Sequence, residues 1–354
     1  MPMLSSADRR ACRRSLAEGS KSFFAASLLL PPRLRGPATV LYAFCRAADD
    51  AVDGSADPAA AVADLRRRLD RIYAGRPGAC PVERLFADLV ETIDLPRALP
   101  EALIEGFAWD ADGRRYADLA ALEAYAFRVA GVVGMMMSVL MGRRSEAALA
   151  RAADLGIAMQ YTNIARDVGE DARAGRLYLP LDWLATEGLD GAVLIGAPVP
   201  SPGLARVVAR LLAAAETHYV RAEAGIALLP PDCRPAIHAA RLVYREIGHR
   251  LAAAGHDSVS TRTVVPGRRK LVLMADAVVA ALKPAAAMPF APVSVPAAAP
   301  DSACDLIARL AADRPGPTAA RPGSAARLIE ILTIQEERRR ASRQPMPVRV
   351  GVRS

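Results

Sequence analysis

The sequence predicts an all-α fold, and three observations support that prediction. Alanine-rich segments with few runs of Val, Ile, Thr or Tyr favour helix over strand, in a chain of 354 residues that is 52% hydrophobic. No segment alternates apolar and polar residues in the way a half-buried strand does. Apolar residues instead recur at helical spacing, in segments that Pro and Gly residues separate.

Eight helices are predicted, and they form one body from about residue 8 to residue 283. The first four span 37–53, 57–74, 81–94 and 118–141. Gly54, Gly75 and Gly142 follow the ends of the first, second and fourth, and the third begins at Pro81. The last four span 144–171, 202–228, which begins at Pro202, 232–254, which ends before Gly255, and 268–283, which lies between Gly267 and Pro284. We expect one folded domain over residues 1–284.

The composition changes after Lys283. The segment PAAAMPFAPVSVPAAAP (284–300) is typical of an extended linker, and two short amphipathic patterns follow it. Residues 285–354 are therefore predicted to form a flexible tail rich in Pro, Ala and Arg. A helix that binds a membrane surface or a partner is the alternative interpretation.

Charge and cysteine content restrict the class of protein. A net charge of +8 suits an anionic partner, but the aromatic residues do not interleave with basic runs, so a nucleic-acid surface is not expected. Five widely spaced cysteines without a CxxC pair favour neither a zinc site nor a disulfide framework, and predict a reduced, cytoplasmic protein. No apolar run is long enough to predict a membrane helix, and no signal peptide is recognised at the N-terminus.

Two predicted helices carry polar stripes on otherwise apolar surfaces. The first stripe, on 37–53, consists of Tyr42, Arg46, Asp49 and Asp53. The second stripe, on 144–171, consists of Gln160, Asn163, Asp167 and Asp171, with Arg166 beside it. Steps of three and four residues place the members of each stripe on one helix face. Either stripe alone is most simply explained as a solvated face, but two stripes with matching acid spacing favour a functional site.

The residue types in the stripes suit a hard divalent cation. Carboxylate and amide oxygens favour Mg²⁺, with Mn²⁺ as the alternative, and Mg²⁺ commonly bridges protein carboxylates to substrate phosphates. Such a cation helps a diphosphate to leave, and nearby arginines bind phosphate through paired hydrogen bonds. Met135, Met136 and Met137 are candidates for the wall of an apolar pocket, although core packing is favoured for each of them.

Four segments together resemble the squalene/phytoene synthase family. They are GSKSFFAASLLLP (19–31), LYAFCRAADDAVD (41–53), YAFRVAGVVGMMM (125–137) and AMQYTNIARDVGEDARAGRLYLP (158–180). The resemblance covers roughly residues 12–280 and is closest to the bacterial phytoene-forming members. It implies a single-domain isoprenoid synthase fold over residues 1–284, with helices around a central apolar cavity and two facing acid-rich helices.

The resemblance also implies an activity and its site. Two molecules of geranylgeranyl diphosphate would be joined head to head, through prephytoene diphosphate, to 15-cis-phytoene for carotenoid biosynthesis, without NADPH. The implied ligands of Mg²⁺ and diphosphate are Asp49, Asp53, Asn163, Asp167 and Asp171. The implied substrate contacts are Ser20, Ser22, Tyr42, Arg46, Gln160, Arg166, Tyr244 and Arg262. Tyr42, Arg46 and the four aspartates would be the catalytic residues.

Other positions matched to the family are ambiguous. Tyr125 and Lys270 are further candidates for the site, and a packed core tyrosine and a solvated lysine explain them equally simply. Tyr161 stands where the family usually has Leu, which is expected to narrow the cavity.

Two alternatives to this activity stay open at the level of sequence. One is squalene or dehydrosqualene formation from farnesyl diphosphate, and the other is a non-catalytic scaffold relative. The lipid nature of substrate and product predicts a cytoplasmic protein, peripheral on the inner face of the cytoplasmic membrane. There it would deliver its product to the membrane surface and to downstream carotenoid enzymes.

Overall fold

Helices form all of the regular structure in the described part of the chain. The computed structural model describes residues 25–282 and 303–312, and no strand occurs within these ranges. In chain order the helices are α1 (Pro32–Asp53), α2 (Pro58–Tyr73), α3 (Pro81–Ile93), α4 (Ala98–Ala111), α5 (Leu119–Ala126), α6 (Val132–Leu140), α7 (Glu146–Arg173), α8 (Leu181–Thr186), α9 (Gly191–Gly196), α10 (Pro202–Ile226), α11 (Arg234–Ala253), α12 (Gly267–Leu282) and α13 (Ala303–Ala312). The all-α prediction is confirmed.

Several helices begin where a polar side chain binds the first free backbone N–H groups. The side chains of Asp57, Asp118, Ser145 and Ser201 each accept a hydrogen bond from the backbone N–H three residues later, at 2.8–3.3 Å. This arrangement satisfies donors that have no partner inside the helix. It explains why the predicted starts near residues 57, 118, 144 and 202 agree with the structure.

The structure differs from the predicted helices at the start of α1, which begins at Pro32, and in the short helices α8 and α9, which were not predicted. Two further differences concern the elements around the main cavity. Helix α4 was not predicted, because it shows no single amphipathic stripe; its Leu99, Leu103 and Ile104 are fully buried. The predicted helix 118–141 is divided, because a π-helical turn, Phe127–Gly131, separates α5 from α6. A single wide turn of this kind leaves the apolar pattern intact, so the pattern cannot reveal it.

Helix α7 is the centre of the fold and packs against α6, α10 and α11. It approaches the backbone of the α5–α6 segment closely at two glycines. A Cβ atom at Gly156 would lie 2.2 Å from the carbonyl oxygen of Ala130, and one at Gly134 would lie 2.2 Å from that of Ala152. The two helical segments are therefore antiparallel, and glycine is required at both contacts.

One segment could be mistaken for a membrane span. By length and composition Leu119–Leu140 is apolar enough to cross a bilayer, and no other helix in the described ranges passes this test. Half of its apolar window is buried inside the protein, as in a core helix of a soluble protein. Its composition is thus accounted for by core packing.

Only α13 represents the predicted tail 285–354 among the described residues. It packs against α7, and its Ile307 and Leu310 are buried in the main core cluster. The boundary at residue 284 and the flexible character of the tail stay predictions, because the remaining residues of 285–354 lie outside the described ranges.

Candidate active site

A cavity of about 790 Å³ lies alongside α7. Its walls come from α1, α4, the α5–α6 segment, α7, α10 and α11. Along α7 it extends from Arg166 to Ala148, which corresponds to about 27 Å of helix. One end is polar and the remainder is mostly apolar.

Most of the predicted site residues meet at the polar end. The predicted residues that line the cavity are Tyr42, Arg46, Asp49, Gln160, Asn163, Arg166, Tyr244 and Arg262. Asp53, Asp167 and Asp171 do not line it, but they lie next to lining residues. Ser20 and Ser22 fall outside the described residues.

The acids of α1 are held by arginines from two elements. Arg46 contacts Asp49 at 3.1 Å and Asp50 at 2.6 Å, and Arg176 contacts Asp53 at 2.7 Å. Burial, followed by the nearby charge of Asp53, raises the pKa of Asp49 to about 6. Arg46 thus compensates the charge of this carboxylate only in part.

On α7, Asp167 receives two guanidinium groups. Arg166 donates to it at 2.7 Å, and Arg262 donates at 2.9 Å while also contacting Glu170 at 3.2 Å. Burial alone would raise the pKa of Asp167, but these hydrogen bonds outweigh burial and hold the pKa below its usual value. Asp167 is therefore ionised over the whole physiological pH range.

One helical turn further along α7, Asp171 lies in the opposite situation. Burial and then repulsion from Asp167 raise its pKa to about 7, and Arg176 offsets this only partly. The polar end consequently contains half-buried carboxyl groups whose negative charge is incompletely balanced. Such a site gains stability from an added cation.

The donor set fits Mg²⁺ that is shared with a substrate. The side-chain oxygen of Asn163 is buried and accepts no hydrogen bond within the described residues, so a hard ligand oxygen is available beside the acids. No group of three or more His, Cys, Asp or Glu side chains in the described ranges is close enough to hold a metal ion by itself. Mg²⁺ usually takes one or two carboxylates and completes its shell with water and phosphate oxygens, which this arrangement can accommodate.

Sequence reasoning missed Asp110 on α4, which also lines the polar end. Its carboxylate accepts hydrogen bonds from the hydroxyls of Tyr125, at 2.8 Å, and Tyr178, at 2.9 Å. Burial raises its pKa to about 6, against the opposing effect of these hydrogen bonds. The signal that could have found it is the spacing of Leu103, Phe107 and Asp110, which line the cavity at steps of four and three residues.

Arg176 and Tyr178 reach the site because α7 ends sharply. Gly175 has a φ of 78°, in the left-handed region that glycine adopts readily, and the chain turns back toward α1 and α4. Neither Arg176 nor Tyr178 was among the predicted site residues. Tyr125 is buried in the main core cluster and also lines the cavity, where its hydroxyl donates a hydrogen bond to Asp110, so both of its predicted roles stay open.

The apolar wall corrects two expectations. Met137 lines the cavity, whereas Met135 and Met136 are fully buried elsewhere in the core, which confirms core packing for those two. Tyr161 does not narrow the cavity, because it is not part of the wall. Its ring is fully buried and packs edge-on against His218, with the ring centres 5.7 Å apart.

Comparison with known proteins gives consistent matches. A family model described as squalene/phytoene synthase matches residues 16–270. The phytoene synthase of Rhodobacter capsulatus is 53% identical over 282 residues, covering 79% of this chain and 83% of that protein. The 15-cis-phytoene synthase of a Paracoccus species is 44% identical over 269 residues, covering 73% and 87%.

Solved structures agree with this assignment of fold. The crystal structure of a dehydrosqualene synthase in complex with ligand has a TM-score of 0.70 and 30% sequence identity. The match covers 77% of this chain and 95% of that one.

Proposed function

The chain belongs to the squalene/phytoene synthase family, and from this premise we propose that it is a prenyltransferase that converts two molecules of geranylgeranyl diphosphate, through prephytoene diphosphate, into 15-cis-phytoene. The observation that carries the proposal is the meeting of two acid-bearing helices at one end of a long apolar cavity. The identity of 53% to a bacterial phytoene synthase selects this reaction among those of the family.

The polar end would bind the diphosphate groups. Asp49, Asp53, Asn163, Asp167 and Asp171 would hold Mg²⁺, with Mn²⁺ as the alternative. The bound ion neutralises negative charge on the departing diphosphate. Arg46, Arg166 and Arg262 would turn hydrogen bonds that they now give to aspartates toward diphosphate oxygens.

The apolar part of the cavity would hold the prenyl chains. Val129 and Val133 present no nucleophilic group to a carbocation, and together with Met137 they would exclude water from it. Tyr42 and Tyr244 lie where the polar and apolar parts meet. The hydrogen bond that Tyr125 donates to Asp110 would hold its ring at the wall. No step of this reaction consumes a hydride, and NADPH is therefore not required.

Chain length is the main point on which related enzymes differ. A dehydrosqualene synthase shares this fold at 30% identity, so a C30 product from farnesyl diphosphate is the second candidate. A non-catalytic scaffold would have no need for the acids and arginines that the site retains, and we set it aside.

For the cellular setting, we propose a cytoplasmic protein that is peripheral on the inner face of the cytoplasmic membrane. Prenyl diphosphates and phytoene are lipids, and a net charge of +8 favours an anionic membrane surface. Downstream carotenoid enzymes would receive the product there.

Product analysis tests the proposal. Purified protein with Mg²⁺ is given geranylgeranyl or farnesyl diphosphate, each with and without NADPH, and the hydrocarbons are identified by chromatography and mass spectrometry. A C40 product with a central conjugated triene, formed without NADPH, is expected. A C30 product would move the substrate to farnesyl diphosphate, and absence of turnover with both substrates would overturn the enzymatic assignment.

A further inference from the structure

Exposed apolar side chains concentrate on helix α12. In the described residues twelve large hydrophobic side chains are exposed, and six of them fall between Val264 and Leu282. Leu271 is 68% exposed, Val279 57% and Leu282 80%. Single exposed hydrophobic residues are ordinary on protein surfaces, but a cluster of this size requires an explanation.

The exposed residues of α12 form a continuous face. At 100° per residue they occupy an arc of about 120°, and we call them the α12 face: Leu271, Val272, Ala275, Val278, Val279 and Leu282. The opposite side of the helix is anchored, because Leu273 and Ala277 are buried against α11. Helix α12 is thus held to the body by one side and presents a second apolar side to its surroundings.

The α12 face begins close to the cavity wall. Val264, just before α12, lines the cavity and is also 65% exposed, whereas Lys270, the residue of α12 that lines the cavity, lies on the anchored side of the helix. A residue that both lines the cavity and faces the outside marks a place where the cavity reaches the surface. This opening lies directly before the first turn of α12, so a surface that contacts the α12 face would also lie next to the opening.

Basic residues accompany the face. Arg268 is exposed and falls within the arc, while Asp276 at its edge is the single acid of α12. Arg250 donates to the backbone oxygen of Val264 at 3.1 Å and so places its charge beside the opening. Arg269 is not one of the basic residues that accompany the face, because its charge is paired with Glu246 at 2.9 Å.

We propose that the α12 face is a membrane-docking surface, which inserts between the headgroups of an anionic bilayer and holds the cavity opening against the lipid. The proposal rests on the proposed function, since only a lipid substrate and product give such an opening a purpose. An apolar arc flanked by basic residues is the pattern of helices that lie in the membrane interface. A protein partner or second copy on the same face would cover Val264 and obstruct the opening, which favours lipid as the occupant.

Vesicle flotation of the full-length protein tests this surface separately from catalysis. The vesicles consist of equal parts of phosphatidylglycerol and phosphatidylethanolamine, and no substrate is present. A face variant combines Leu271→Ser, Val279→Ser and Leu282→Ser. A matched control combines Val193→Ser, Val199→Ser and Val220→Ser, whose side chains are 64%, 64% and 50% exposed outside α12.

The wild-type protein is expected to float with the vesicles. The face variant should bind at least about tenfold more weakly, a change of about 1.4 kcal/mol, and the control should stay within about twofold of wild type. Arg268→Gln should weaken binding at low salt, with a smaller difference at high salt, because screening already reduces the electrostatic part. All variants should melt as wild type does and should turn over substrate dispersed in detergent.

Three results would overturn the proposal. In the first, the wild-type protein fails to float with the vesicles. In the second, the face variant and the control variant bind the vesicles equally well. In the third, the wild-type protein is a dimer, and the face variant is a monomer that still binds lipid. The last result would assign the α12 face to a second copy of the chain. Loss of turnover in detergent by the wild type would count against the proposed function and would leave the flotation result unaffected.

Discussion

At the scale of single residues, Asp167 differs from its neighbours in holding two guanidinium groups at once. Asp167→Asn keeps the shape of the side chain but removes the charge that Arg166 and Arg262 share. We expect turnover to fall at least about 100-fold, because the group would act on charge that develops in the transition state. Steady-state assays with geranylgeranyl diphosphate measure this change.

The control for this variant is Glu170→Gln on the same helix. Glu170 also contacts Arg262, at 3.2 Å, but its side chain is 54% exposed and does not line the cavity. It should retain turnover within a few-fold, and both variants should keep wild-type helicity and melting. Unfolding of Asp167→Asn would instead identify a structural role for the stripe.

Asp171 predicts a dependence of stability on pH. Carboxyl groups titrate near 3.9 in an unfolded chain, whereas Asp49 and Asp110 titrate at about 6 and Asp171 at about 7 in the folded one. The folded protein holds these protons more tightly, so these groups lower its stability as pH rises from about 4 through about 7. Melting temperatures recorded without divalent cation should show this fall.

Asp171→Asn removes the largest of these contributions. The variant should melt about 2–4 °C above wild type at pH 8, corresponding to a gain on the order of 1 kcal/mol, and the difference should shrink as pH falls and vanish near pH 4. The melting temperatures of variant and wild type are compared at each pH because other groups also make stability depend on pH. One of them is the buried His238, whose pKa burial lowers from its usual value. A constant difference across pH would contradict the pKa raised by burial and by Asp167.

At the scale of elements, the contact between α7 and the α5–α6 segment depends on missing side chains. Gly156→Ala would place a Cβ atom 2.2 Å from the backbone oxygen of Ala130, and the backbone cannot move aside as a flexible side chain would. We expect a loss of about 1–3 kcal/mol in the free energy of unfolding. Chemical denaturation followed by circular dichroism measures it.

Gly196→Ala is the matched control for helix propensity. Gly196 is also helical, and no atom lies within 4 Å of the position a Cβ would take. This variant should be neutral or up to about 1 kcal/mol more stable. Equal effects of both substitutions would show that propensity, and not the helix contact, controls the outcome.

A buried ion network connects α7 to α10. Asp154 contacts Arg151 at 3.0 Å and the Nδ1 atom of His218 at 2.7 Å, and all three residues are buried. Asp154→Ala would leave a buried guanidinium without its carboxylate and should cost about 3–5 kcal/mol in the free energy of unfolding.

The exposed Asp64 serves as comparison, because it also contacts arginines on its own helix, Arg67 and Arg68. Asp64→Ala should cost less than about 1 kcal/mol. A small loss for both variants would mean that water or a rearrangement compensates Arg151.

Sequence patterns predicted those elements whose two sides differ. Helices such as α2 and α7 have an apolar side and a polar side, and their capping residues Asp57 and Ser145 stand at the expected ends. Helix α4 carries acids on two sides, with Glu101 and Glu105 toward solvent and Asp110 toward the cavity, so its apolar residues form no single stripe and the periodic signal is weak. Periodicity identifies a helix with one polar side, and it identifies less readily a helix with polar residues on two opposite sides.

At the scale of the whole molecule, the polar end joins parts that are distant in the chain. Arg46 and Asp49 come from α1, Asn163 from α7, and Arg262 from the segment before α12. A ligand that binds all of them links the folded elements and stabilises only the folded state. Mg²⁺ with inorganic diphosphate should therefore raise the melting temperature. When the ligand concentration is a hundred times the dissociation constant, the free energy of unfolding should increase by about 2.7 kcal/mol.

Differential scanning fluorimetry with Mg²⁺ and diphosphate, together and singly, measures this linkage. The two together should exceed the sum of their separate effects, and Asp167→Asn should reduce the combined shift. If the variant responds as strongly as wild type, the second acid stripe does not take part in binding.

The candidate site was predictable to the extent that its residues share a helix. The two stripes could be identified because steps of three and four residues align Arg46 with Asp49 and Gln160 with Asn163. The contacts between Arg176 and Asp53, and between Tyr178 and Asp110, join residues that are far apart in the sequence. Spacing gives no information on such contacts. The wrong expectation for Tyr161 came from the match to the family, because a matched position does not show whether its side chain faces the cavity or the core.

The π-helical turn Phe127–Gly131 sets the rotational phase of one cavity wall. In an ideal α-helix, each step of four residues moves the side chain about 40° further around the helix axis, and one wide turn offsets part of that rotation. A wide turn holds one residue more than an ordinary α-helical turn, so losing that residue lets the turn close as α-helix and leaves α6 nearly in place. A deletion inside α6 itself would instead rotate the residues beyond it by about 100° and turn Met137 away from the cavity. Differences in length among homologous proteins should therefore be tolerated at this turn, whereas the cavity wall on α6 should change by substitution at Val133 or Met137.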